Sequence, residues 1–292
     1  MTDFVIVIDI QDEDNLSYEL PLSGKGSVIV NWGDSDIRQK IDLDEDRIVK
    51  DLIHRYSGIG TYTISVSSGD SSDLTFGSGH YFDGKNYLIA VKSWGDLHFV
   101  SLEEAFAYSE RNLEVPDHIP ESVTSIESIF VDSKITTLPA LRKWNTKNVK
   151  NMSSAFYLAS NFNEDISGWD VSSVEDMSYM FCSAENFDQD LDKWDVSRVK
   201  DMSRMFEDAE KFNGKISSWN TSSVENMKCM FRGATRFNRN ISKWDVSSVE
   251  DMKCMFMDAK NFNGEIGKWN VSSVYRMERM FCGAEKFNQD IS

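Results

Sequence analysis

Histidine and cysteine are the side chains best suited to acid–base, nucleophilic or metal chemistry near neutral pH, and this chain has four of each. The histidines (His54, His80, His98 and His118) are scattered, and none stands beside a Ser or Cys nucleophile motif. G-x-S-x-G, H-E-x-x-H and a phosphate-binding glycine loop are all missing. The acidic run Asp42-Leu43-Asp44-Glu45-Asp46 suggests calcium. An EF-hand loop needs Gly at its sixth position and Glu at its twelfth, however, and this chain has Arg47 and Ile53 there, so the run reads as a solvated loop. Cys229 and Cys254 share a register position 25 residues apart, while Cys182 and Cys282 share another, four repeats apart. Such thiols suit a reducing compartment better than a disulfide framework, although a Cys229–Cys254 bridge stays open. The expectation is therefore no catalytic residue, no metal site, no cofactor and no enzyme.

The elements that would position these residues are set by a repeat. Tryptophan recurs every 25 residues at Trp144, Trp169, Trp194, Trp219, Trp244 and Trp269. Around it the unit W-[DN]-V-S-S-V-x-[DN]-M-x-x-M-F-x-x-A-x-x-F-N-x-[DE]-I-S-x returns, with columns of Met (Met152 to Met277), Phe (Phe156 to Phe281 and Phe162 to Phe287), Ala (Ala159 to Ala284) and Ile or Leu (Ile166 to Ile291). A period of this length marks units that bury their apolar faces against one another. The M-x-x-M-F-x-x-A spacing predicts a short helix, with Asp176, Asp201, Asn226 and Asp251 as N-caps. The x-[DE]-I-S-x-W-[DN]-V stretch predicts a short strand that pairs in parallel with its neighbours. Met and aromatic columns at such spacing read as core rather than as a ligand groove. The Asn column (Asn163, Asn213, Asn238, Asn263 and Asn288, with Asp188 as the exception) reads as a buried ladder. Degenerate versions of the unit surround Phe106 and Phe130, so eight coils run from Phe106 to Phe281, roughly 40 Å at one sheet spacing each.

The first ninety residues lack this period. They alternate in bursts (F-V-I-V-I-D-I at 4–10, S-V-I-V-N-W at 27–32, T-Y-T-I-S-V-S at 61–67, Y-L-I-A-V at 87–91) separated by Gly and Ser/Asp clusters, which predicts a small antiparallel β-sandwich. Trp32-Gly33-Asp34, followed by His54-x-Tyr56 and Gly60-x-Tyr62-x-Ile64, resembles the PKD-type immunoglobulin-like sandwich, although Ser35 stands where that motif usually has Gly. The repeat, with its W-D-V-S-S-V-x-D-M-x-x-M-F core, resembles the BspA-type leucine-rich-repeat surface proteins. The junction Val91-Lys92-Ser93-Trp94-Gly95-Asp96-Leu97 resembles theirs too. The resemblance implies a non-enzymatic surface protein used in adhesion; similar arrays occur in protists and large DNA viruses.

The expected fold is thus mixed: a PKD-like sandwich (1–92), degenerate leading coils (93–143) and a regular 25-residue repeat (144–292), the last two forming a right-handed leucine-rich-repeat-like solenoid with a parallel sheet. A net charge of −17 argues against nucleic acid and anionic membrane partners. No apolar run reaches membrane-span length, and direct insertion is not expected. The N-terminus carries an early acid and no basic stretch, so it does not read as a signal peptide; a cytoplasmic or virion-associated location is favoured over the cell surface.

Two surfaces are candidates for partner binding. One is the outward strand face, carrying Asp165, Asp190, Asp192, Lys215, Asn240, Glu265 and Asp290. The other is the last coil, whose Met277, Met280, Phe281, Phe287 and Ile291 have no polar capping unit after them in this chain. The function these features imply is a protein-interaction or structural scaffold module that contacts other proteins, another copy of itself or an assembly shell such as a virus particle. The alternative is a cell-surface adhesin for host protein or carbohydrate. An enzyme with a site in the sandwich is a further alternative.

Overall fold

The computed structural model describes residues 2–44, 52–77 and 87–291; His80 and the Glu45–Asp46 end of the acidic run lie outside them. In the N-terminal region the alternating bursts become strands. β1 (Phe4–Ile10) alternates between buried and half-buried residues, as a strand with one face on a core must. The remaining strands are β2 (Ser17–Glu19), β3 (Leu22–Lys25), β4 (Ser27–Asn31), β5 (Gln39–Asp42), β6 (Ile53–Arg55), β7 (Gly60–Ser68), β8 (Ser72–Phe76), β9 (Leu88–Ser93) and β10 (Phe99–Ser101). They make a five-stranded antiparallel sheet in the order β5-β4-β7-β1-β9, a three-stranded sheet β10-β8-β3, and the pair β2-β6. Phe4 lies at the centre of the core, with ring centroids 5.0 Å from Phe76 and 5.1 Å from Phe99 and its ring stacked on Trp94.

The W-G-D and H-x-Y residues form one network. Asp34 pairs with His54 Nε2 at 2.7 Å, the His54 ring stacks on Trp32, and the Tyr56 hydroxyl donates to the Trp32 carbonyl at 2.9 Å. Gly33 has φ +84°, and its α-carbon lies so close to the Thr63 carbonyl that a side chain would have no room. Ser35 leaves this turn closed: Asn31 accepts the Gly33 N–H and donates to the Ser35 carbonyl.

The repeat begins where β10 ends. Ser101 is bridged to Ser125, Ser125 to Asn151, and the series continues through Asp176, Asp201, Asn226 and Asp251 to Arg276, each bridge a single parallel residue pair. Phe76 and Trp94 both meet Phe106, so the β region and the first unit share one continuous core.

This corrects the expected architecture. A right-handed leucine-rich-repeat-like solenoid with a parallel sheet is not what the described residues form. Their regular structure is almost entirely β, the sheets are antiparallel apart from the β10–β8 pair, and every strand lies within the first 101 residues. Among the described residues the 25-residue units contain turns and isolated bridges only, and a 3-10 turn at Pro139–Lys143 directly precedes them.

The reason lies in the backbone. In the segment predicted helical, Ala155, Tyr157 and Ala159 donate to Met152, Ser154 and Phe156, three residues back, so the segment is a run of overlapping β-turns. Ser154 and Leu158 take φ of +55° and +61°, which no α-helix tolerates. The same two columns are left-handed in every following unit (Tyr179 and Ser183, Arg204 and Asp208, Cys229 and Gly233, Cys254 and Asp258, Arg279 and Gly283). With the chain so folded, the N–H groups of Met152, Ser154, Phe156 and Leu158 reach the carbonyls of Asp176, Ser178, Met180 and Cys182 in the next unit, at 2.8–3.0 Å. The predicted N-caps do accept backbone N–H groups, two residues on (Ser178 to Asp176, 2.8 Å; Ser203 to Asp201, 2.7 Å), but they open a turn rather than a helix. The predicted strand is also a turn, in which Trp169 donates its N–H to Ile166.

Side chains complete the stack. The first Phe column runs ring over ring from Phe156 to Phe281 at 5.5–5.8 Å, and the second from Phe162 to Phe287 at 5.8–6.0 Å. Each indole N–H finds the carbonyl 28 residues back, for example Trp169 to Leu141 at 2.8 Å and Trp219 to Leu191 at 2.9 Å. The Asn column forms a ladder in which each side-chain oxygen accepts the next unit's backbone N–H (Asn163 from Asp188, 2.9 Å; Asn213 from Asn238, 3.0 Å). This ladder lies at the surface, not in the core as expected.

Two substitutions test this packing, and the second separates it from a helical unit. Phe206→Ala removes a fully buried ring and should cost about 3–5 kcal/mol in urea unfolding. Leu158→Gly, at a partly exposed left-handed position, should be neutral or stabilising, because it relieves about 1–2 kcal/mol of left-handed strain against about 0.5–1 kcal/mol of glycine entropy. Loss of about 1 kcal/mol at Leu158 would instead be the helical result.

Candidate interaction surface

The six units serve as an internal alignment. Columns that make the core or the ladders hold their residue type from unit to unit. The Ser154 column, itself left-handed, and the Tyr157 column, next to the other left-handed one, do not: they read Ser154, Tyr179, Arg204, Cys229, Cys254, Arg279 and Tyr157, Cys182, Glu207, Arg232, Met257, Cys282. The side chains in the first four units touch in sequence. The Tyr157 and Tyr179 rings meet edge to face at 6.1 Å, the Arg204 guanidinium lies over Tyr179 at 5.3 Å, and Glu207 accepts from Arg204 at 2.9 Å and from Arg232 at 2.7 Å. A continuous aromatic and charged ridge thus crosses four units. Sequence reasoning missed it because the residues were read as one repeat; the signal was that these two columns vary in residue type from unit to unit, unlike the core columns.

Burial sets the chemistry of the ridge. Removal from water pushes the Cys182 thiol up to about 12, with the Glu207 carboxylate adding to the effect, and the Cys229 thiol up to about 11 for the same two reasons. Neither is a thiolate near neutral pH, so neither is set up as a nucleophile. All four cysteines are free, and Cys229 and Cys254 are buried without a bond between them. In the Leu158 column Asp208 is followed by Gly233 and Asp258 by Gly283. A Cβ on either glycine would meet the carboxylate oxygen of the preceding unit's Asp, which would have to turn aside.

The expected strand-face residues are all outside the core, but no sheet presents them. Asp165, Asp190, Lys215, Asn240, Glu265 and Asp290 are exposed and Asp192 is half-buried. Most are used within the stack. Lys215 pairs with Asp190 at 2.9 Å and also donates its backbone N–H to it, Asp192 accepts the Ser218 N–H at 2.8 Å, Asp165 accepts from Ser167, and Asn240 accepts from Ser242. Hydrogen bonds from Ser167 and from Lys215 hold the Asp165 and Asp190 carboxyls below the usual range. Shallow depressions lie along this face, one of about 510 Å³ between Ser242, Glu265, Lys268 and Asp290.

The other expected surface is also distinct. Met277 is 39% and Ile291 58% exposed, Phe281 and Phe287 are half-buried and Met280 is buried, whereas the equivalent residues of inner units are covered by the unit that follows. A cleft of about 150 Å³ there is lined by Trp269, Val271, Met277, Met280, Phe281 and Ile291 among others. Among the described residues, no cluster of three or more His, Cys, Asp or Glu is arranged to hold a metal ion, and no helix is long and apolar enough to cross a membrane.

Near-identical units stacked in register after a small β region define a tandem-repeat protein. Residues 124–238 and 214–292, more than half of the chain, match the family described as "Mycoplasma protein of unknown function, DUF285", and the chain belongs to that family. No curated protein and no solved structure matches it.

Two outcomes check this chemistry. In the folded protein at pH 7.5, iodoacetamide should label exposed Cys282, while Cys182, Cys229 and Cys254 react only on unfolding. Hydrogen bonds from Ser247 hold Asp245 below its ordinary value of 3.8, so its contribution to stability is present above that value and is lost as the pH falls through the folded one. Asn220 and Asn270 make the same turn in neighbouring units. Asp245→Asn should therefore leave the neutral Tm unchanged and make its fall below about pH 4 shallower.

Proposed function

We propose that this protein is an interaction module whose repeat stack presents the Tyr157–Tyr179–Arg204–Glu207–Arg232 ridge to another protein. The observation that carries the reading is that chain of contacts, lying in two of the columns in which the units differ. Tyr and Arg are the residues that most often dominate protein–protein binding energy, because they supply large contact area and several hydrogen bonds at modest entropic cost. A stack whose units are tied at every turn loses little further freedom when a partner docks, which favours rigid presentation. The resemblance of the repeat to BspA-type surface proteins supports a binding role as well, without naming what is bound.

Cross-linking mass spectrometry on the protein in its native source tests this reading. Links from Lys228 and Lys253, which flank the ridge, to one abundant protein or to another copy of this chain are the expected result. Links confined to Lys215, which pairs with Asp190, and to Lys268 and Lys286 near the last unit would move the contact surface away from the ridge. No protein links at all, with retention on a glycan array, would replace the reading with a carbohydrate-binding adhesin.

A further inference from the structure

Glu207 is 3% exposed, in a column that holds Tyr, Cys, Arg or Met in the other units. Burying a carboxylate is costly, and Met257 in the same column of a later unit shows that the stack accepts an apolar residue there. The other buried glutamate of the repeat, Glu164, ties the backbone together: it accepts the Leu138 N–H at 3.2 Å and a forked pair of bonds from Arg142. Among the described residues the Glu207 carboxylate accepts from no backbone group. Its two oxygens hold two guanidiniums from adjacent units, one each.

The consequence is a fixed pair of arginines. A guanidinium carries five N–H donors in a plane. Arg204 and Arg232 each give one to Glu207, and their side chains remain 29% and 40% exposed. Arg204 is further restrained by the Tyr179 ring beneath it. With their rotamers held, the forks are ready to take a second carboxylate bidentately without the ordering cost of free side chains. Asp208 is close enough to act on Arg232, so Glu207 and Asp208 together balance the two arginines. What a further carboxylate meets is the N–H donors that Glu207 leaves unused, not a net positive charge. On a chain of net charge −17 an acidic partner is repelled at long range, so the contact depends on short-range hydrogen bonds at the pair.

We propose that Arg204 and Arg232 form a clamp for an Asp or Glu carboxylate of a partner protein seated over Tyr179. This rests on the interaction-module reading and gives that partner's chemistry. The test is isothermal titration of the full chain with a hexaglutamate peptide, with inorganic phosphate as comparator. Arg232→Met should weaken peptide binding at least tenfold at a temperature where circular dichroism shows the variant folded, and it should also lower the melting temperature because Glu207 loses one of its two cations. Arg232→Lys, which keeps the charge but loses the fork, should recover only part of the affinity, and Lys215→Gln should change nothing. The clamp is overturned if the peptide does not bind, if Lys215→Gln weakens it as much as Arg232→Met, or if phosphate binds in place of the peptide. Native cross-links that persist in Arg232→Met would sink the clamp and leave the module reading standing. Arg232-dependent peptide binding with no cross-linked protein would do the reverse.

Discussion

The structure depends on one requirement: the N–H groups on alternate residues of each turn run must find the carbonyls of the following unit, 24 residues on. Buried backbone groups cannot be left unpaired, and a helix would have satisfied them internally. Here the left-handed residues at two columns per unit turn those groups toward the neighbour instead. That choice explains the strict period, because inserting one residue would put every donor out of register with its acceptor. It also explains how units with so little regular structure hold together, since each shares its backbone bonds with the unit on either side.

Stacking of identical side chains follows from the same requirement. Once backbones are in register, a residue lies directly over its equivalent, and only types that pack well on copies of themselves suit the interior. Flat Phe rings and flexible Met chains do so, and Trp does so while giving its N–H to a carbonyl of the preceding unit. At the surface, Asn repeats because its side-chain oxygen accepts the N–H of the next Asn. Aspartate can take that place, as at Asp188, because only an acceptor is needed.

Much of this was legible in the sequence, and the part that was not has a physical cause. The period, the core columns and the acceptor role of Asn163 to Asn288 could be read from residue types alone. The helix could not be distinguished from the turn run because both bring residues such as Met177, Met180, Phe181 and Ala184 to one side, so the apolar pattern is the same for either. The discriminating residues were Gly233 and Gly283, which sit in the middle of the supposed helix where glycine is unfavourable and a left-handed turn welcomes it. Serine, aspartate and glycine in that one column are turn formers, and no helix-forming residue replaces them except Leu158. The strand around Ile166 failed for a related reason: alternation over so few residues is compatible with a turn, and Trp169 closes one.

The ridge is the least legible part, since repetition itself concealed it. A column in which each unit differs looks like noise beside columns of invariant Trp and Phe, and no short motif links Tyr179 to Arg204 or Glu207 to Arg232. They become neighbours only because the register places residues 25 apart in adjacent layers. Variation in a stack of near-identical units is therefore informative in the opposite sense from variation between unrelated proteins. A residue that pairs with its own copy is held constant by packing, so a column released from that constraint can be specialised unit by unit. Glu207 is the clearest instance: it cannot pair with itself, and its carboxylate is accommodated only because Arg204 beside it and Arg232 one unit on are cations.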